Sequence, residues 1–182
     1  MATQLFETIS PEVIHDIAKQ MIIAAKTAPK GRGVDNLVYA IADGKDIENI
    51  SRKMVELGEK YNSPSFLRDA QNILYAPVIV LLGTKISSLG LQDACGLCGN
   101  KNCVEREKLH PTTPCVFNAN DLGIAIGSAV SVAMNYRVDN RIMYSIGQAV
   151  KELKLMGEDT KIILGIPLSA AAKNVFFDRV VK

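Results

Sequence analysis

The chain has 182 residues, 48% hydrophobic and 22% charged, with a formal net charge of +2. That balance excludes a disordered or fibrous protein. Scattered cations, no tryptophan and 5% aromatics argue against a nucleic-acid partner. The longest uncharged segments, residues 70–84 and 122–136, fall short of the ~20 residues that a membrane span needs. The first ten residues lack a basic run followed by an apolar one, so no membrane association and a cytoplasmic location are expected.

In chain order, Ser10-Pro11-Glu12 combines a capping serine, a first-turn proline and an acid at the positive dipole end. A helix over 10–28 follows, with Val13, Ile14, Ile17, Ala18, Met21, Ile22 and Ala25 on one apolar face. Pro29-Lys30-Gly31-Arg32-Gly33 ends it, either as a solvated connection or as a loop that receives an anion. Residues 37–42 are β-rich and read as a central strand, closed by Asp43-Gly44. Asp46 is the expected cap of a helix to about Tyr61, with Ile47, Ile50, Met54, Val55 and Leu57 inward. A short helix over 65–75 and an apolar strand over 77–82, covered on both faces, come next.

Residues 85–117 show no periodicity, and a connection of that length inside a compact domain needs a staple. Asn118 then reads as a helix cap with Asp121 as its capping-box partner. Gly123, Ala125, Gly127, Ser128, Ala129 and Ala133 suggest tight packing on all sides. A helix over 140–155, a strand over 161–167 and a tail with Phe176 and Phe177 complete the chain.

The staple is supplied by the four cysteines, Cys95, Cys98, Cys103 and Cys115, separated by two, four and eleven residues. Thiolates are soft, strongly donating ligands, and Gly96 and Gly99 allow the chain to wrap tightly around a shared site. An iron-sulfur cluster is the expected occupant. Structural zinc, with His110 as a further donor, and disulfides are the alternatives. The Cys95-Gly96-Leu97-Cys98-Gly99 run with Cys103 and a more distant cysteine resembles the [4Fe-4S] motif of electron-transfer subunits and corrinoid iron-sulfur proteins. The helix N-terminus expected after Cys115, together with Lys101, Arg106 and Lys108, would then favour the reduced cluster.

Five further stretches carry a wider resemblance: Ala-Ala-Lys-Thr-Ala-Pro at 24–29, Tyr-Ala-Pro-Val-Ile-Val-Leu at 75–81, Asp-Leu-Gly-Ile-Ala-Ile-Gly at 121–127, Ile-Leu-Gly-Ile-Pro-Leu-Ser at 163–169 and Lys-Asn-Val-Phe-Phe-Asp-Arg at 173–179. In this order they resemble the ferredoxin-domain-containing proteins of the nitroreductase-like superfamily. The resemblance implies one α+β domain over 1–182, with a mostly antiparallel sheet flanked by helices and residues 85–117 inserted to bind the cluster. It also implies a homodimer with FMN at the subunit interface, with Lys30, Arg32, Gly33 and Asp35 at the flavin-contacting positions. The expected function is single-electron transfer through a [4Fe-4S] cluster, to or from a redox partner or the flavin. Two alternatives are a zinc-stapled structural or regulatory protein and a flavin-free binding protein.

Overall fold

The computed structural model describes residues 3–177. Its centre is a four-stranded antiparallel sheet in the order β1-β2-β4-β3, formed by β1 (Leu37–Asp43), β2 (Val78–Lys85), β3 (Asp139–Asn140) and β4 (Thr160–Ser169). Every residue of β2 from Val78 to Thr84 is buried. The apolar run therefore serves both faces, as expected of a strand covered on each side. Val78, Val80 and Leu82 point into a core built with α1 (Phe6–Thr27) and α5 (Val116–Asn135). Ile79 and Leu81 point into a second core against α2 (Gly44–Lys60), α3 (Pro64–Ile73) and α6 (Tyr144–Glu152). The remaining helix, α4 (Cys103–Leu109), lies in the connection between β2 and α5.

Several element boundaries differ from the sequence expectation, each for a local reason. Helix α1 starts at Phe6 and carries Pro11 inside, with the Leu5 carbonyl accepting the amides of Thr8 and Ile9. Ser10-Pro11 is thus an early turn of the helix, where a missing amide costs little, rather than its cap. Helix α2 starts at Gly44, immediately after the strand, so Asp46 lies in its first turn. The expected helix over 140–155 is shorter because Asp139 and Asn140 pair with Ser169 and Leu168 as an edge strand. In the tail, Phe176 is buried in the second core while Phe177 stays exposed beneath the Arg141 guanidinium, 5.3 Å from its ring centre. Asp178 and Arg179 lie outside the described residues.

Helix α5 is packed on one side only. Leu122, Ala125, Ile126, Ala129 and Ala133 are buried, whereas Val116, Gly123, Ile124, Gly127 and Met134 face outward. Its 20 residues are long and apolar enough to cross a membrane by length and composition. The buried stripe, packed against α1 and the sheet, is what a core helix presents.

Helix α6 approaches β4 so closely that a side chain does not fit between them. A Cβ added to Gly147 would lie 1.7 Å from the Ile163 carbonyl oxygen, and one on Gly165 would lie 2.2 Å from Ile146 Cγ2. Gly147→Ala is therefore expected to destabilise the fold by about 3 kcal/mol, the upper part of the overpacking range. Chemical denaturation against the wild type checks this.

Candidate metal centre

The connection between β2 and α5, residues 86–115, carries all four cysteines and is fixed at both ends by one side chain. Asn118 Oδ1 accepts the Ser87 amide at 3.2 Å and the Cys115 amide at 3.1 Å. Asn118 is not the helix cap: Cys115 occupies that position, and Asn118 is the third-residue half of the capping box. Asp121, expected as the box partner, instead accepts the Gly31 amide with both carboxylate oxygens, at 3.1 and 3.2 Å.

Between these anchors the backbone folds into tight turns. Gly96 and Gly99 have φ of 70° and 79°, values that cost glycine nothing. The Gly99 amide closes a turn onto Gly96 O at 3.0 Å. Asn100 Nδ2 donates to Cys98 O and lies 3.6 Å from Cys98 Sγ. Hydrogen bonds from the Asn100 backbone and side chain hold the Cys98 thiol below the usual thiol range. Asn102 caps α4, accepting the Glu105 amide, and its own side-chain amide reaches Asp93 at 2.8 Å.

All four cysteines are unpaired and line one cavity, together with Leu89, Leu91, Phe117 and Arg106. They come from three settings: Cys95 and Cys98 on the glycine turns, Cys103 as the first residue of α4, and Cys115 at the head of α5. His110 ends α4 and is exposed outside this lining. The donor set is thus four sulfurs, with Cys115 buried. Of the three nearby cations, Lys101 and Lys108 are exposed, and only Arg106 is buried at the cavity wall.

The loop nominated for flavin contacts is engaged within the chain. Lys30 Nζ donates to the carbonyls of Ala25, Lys26 and Ala28, which uses all three of its donors on the end of α1. Arg32, at φ 53°, reaches across to Leu89 O at 3.1 Å and so ties this loop to the cysteine connection. The Gly33 amide bonds to Lys30 O. Asp35 receives the Leu37 amide, the Tyr39 hydroxyl and the Lys26 ammonium. Burial alone would raise the Asp35 carboxyl, but the Lys26 and Leu37 contacts hold it below its ordinary value. Burial, then the Asp35 charge, pushes the Tyr39 phenol up.

Two expectations follow. Asn118→Ala strands two backbone amides and is expected to cost about 2 kcal/mol, whereas Asn118→Asp keeps the acceptor and most of the stability; thermal unfolding of both checks this. For Asp35 the folded-state value lies below 3.8. Its stabilising contribution is therefore present above that pH and is lost as the pH falls through the folded value. The gap in melting temperature between wild type and Asp35→Asn should narrow as the pH is lowered from 7 through this acid range.

The family described as "Uncharacterized protein containing a ferredoxin domain (DUF2148)" matches residues 112–179. An uncharacterized protein of Archaeoglobus fulgidus is 38% identical over 169 residues, covering 89% of each chain. Among solved structures, a nitroreductase family protein from Clostridium novyi NT aligns with a TM-score of 0.55 at 13% identity, covering 84% of this chain and 72% of that one. A nitroreductase with bound FMN from Desulfitobacterium hafniense gives 0.55 at 14%, covering 95% and 80%. A BluB-like flavoprotein from Clostridium difficile 630 gives 0.52 at 20%, covering 92% and 89%. The fold is nitroreductase-like, and the chain belongs to the family of proteins containing a ferredoxin domain.

Proposed function

We propose that this chain is an electron-transfer protein in which Cys95, Cys98, Cys103 and Cys115 hold a [4Fe-4S] cluster, with residues 85–117 as an insertion into the host fold. The observation that carries this reading is the gathering of all four thiols on one cavity. Membership of a family described by its ferredoxin domain supports a redox role.

Among the described residues, no three His, Cys, Asp or Glu side chains stand close enough to share one metal ion. A zinc site draws its sulfurs to about 2.3 Å from a single point. A four-iron cluster spreads its thiolates over separate irons, which suits four cysteines of which only Cys95 and Cys98 have the close spacing of a zinc-ribbon pair. When bound, such a cluster takes up and releases single electrons. The chain's own part is to hold and shield it. Asn118 sets the backbone at Cys115, Asn100 hydrogen-bonds Cys98, and Leu89 and Phe117 supply apolar wall that limits water and local dielectric. Four free thiols suit a reducing, cytoplasmic setting.

FMN has no step in this scheme. The D. hafniense neighbour is solved with FMN. Here all three Lys30 donors and the Gly33 amide are spent on carbonyls of the chain. Arg32, exposed, places only Nη1 on carbonyls and is the one cation of this loop with donors left for a flavin phosphate.

A homodimer is the second part of the proposal. The outward stripe of α5, including Val116, Ile124 and Met134, is apolar, and the helix's single charged side chain, Asp121, is buried. Such a stripe is suited to burial against a second copy. Light scattering is expected to give twice the chain mass for the wild type, and a monomer for Ile124→Glu.

The cluster is tested by anaerobic purification with metal, sulfide and absorption analysis. About four irons and four sulfides per chain are expected, falling when any one of the four cysteines is changed to serine. A colourless protein with one zinc per chain overturns the proposal.

A further inference from the structure

We infer that Arg106 is both the clasp that closes the cysteine cavity and the internal counter-ion for its contents; this rests on the reading of that cavity as a cluster site. Arg106 lies on α4, in the second half of the connection, and is only 3% exposed. Its guanidinium reaches in two directions along the chain. Nε and Nη2 donate to Ser88 Oγ at 3.2 and 2.9 Å, and Nη1 donates to the Thr113 carbonyl. Ser88 lies near the outgoing end of the connection and Thr113 near the returning end, so one planar fork bridges both. Cys95, Cys98 and Cys103 fall between these two anchors, and Cys115 lies just beyond the second. The clasp therefore encloses the ligand-bearing turns without using a thiol.

The charge supplies the second role. A guanidinium stays protonated, and burying a cation without a close anion is costly. The carboxylate recorded beside it, Glu107, stands 3.8 Å away and is exposed. The cavity wall that Arg106 shares is lined by four thiols. As thiolates around a cluster they provide the missing negative charge, and the buried cation stabilises the more negative, reduced form. Lys101 and Lys108, both exposed, are screened by water and add little. Of the three cations in the sequence-level expectation, the structure assigns the effect to Arg106 alone.

Three variants separate the roles. Arg106→Met removes clasp and charge, Arg106→Lys keeps the charge but loses the fork, and Ser88→Ala removes two clasp contacts and leaves the charge. In limited proteolysis of the metal-free chain, Arg106→Met is expected to be cut within residues 88–113 about tenfold faster than wild type, and Ser88→Ala is also expected to be cut faster. With iron and sulfide loaded, Arg106→Met should shift the reduction potential negative, with the reduced form disfavoured about tenfold, or about 59 mV for one electron. Arg106→Lys and Ser88→Ala should stay near the wild-type potential. Unchanged proteolysis in Arg106→Met and Ser88→Ala overturns the clasp. Equal potentials in Arg106→Met and Arg106→Lys overturn the counter-ion. A wild type that loads no iron or sulfide refutes the cluster reading and with it the counter-ion role, while the proteolysis arm still decides the clasp.

Discussion

The side-chain oxygen of Asn118 accepts backbone amides from both ends of a long excursion, and the candidate site depends on that double contact. Without it, residues 86–115 would keep the Arg106 and Arg32 contacts but lose the tie that joins both ends to α5. With it, the exit from β2 and the start of α5 are pinned to the same atom. Asn118 is itself buried on a helix that packs against the core. The cysteine turns therefore inherit the rigidity of α5 although they contain little regular structure of their own.

A second set of contacts works in the same direction. Arg32 reaches Leu89, and Asp121 holds Gly31, so the short loop after α1 is braced between α5 and the base of the cysteine connection. The space is close: a Cβ on Gly31 would sit 3.0 Å from the Leu89 side chain and 3.3 Å from Phe117. Lys30, a cation that advertises an anion site in one dimension, is in three a structural tie to carbonyl oxygens, and Arg32 commits one of its nitrogens in the same way. The chemistry of lysine and arginine is the same in both cases; what decides between them is whether a protein acceptor has already been provided.

This contrast explains what was legible in the sequence. The apolar runs of β2 and β4 were readable because burial on both faces leaves no alternation to interpret. The gathering of the four cysteines on one cavity was readable from their spacing. The start of α5 was misplaced because asparagine is a strong cap by type, and only the capping box shows that Cys115 holds that position. The same helix was expected to be enclosed, since small residues permit close packing, yet Gly123 and Gly127 face outward. Small size permits contact without specifying a partner. Helix α4 was missed because its seven residues have no apolar period; Asn102 followed by Glu105, which form its cap, were the available signal. The engagement of Lys30 and Arg32 had no sequence signal, because their acceptors are main-chain atoms.

The three settings of the cysteines also differ in how they are tied to the core. Cys95, Cys98 and Cys103 precede α5 in the chain, whereas Cys115 is held by the first turn of that helix, which docks on α1 and on a sheet that β4 must complete. Any ligand set that includes Cys115 would therefore be complete only once α5 has docked on α1 and the sheet.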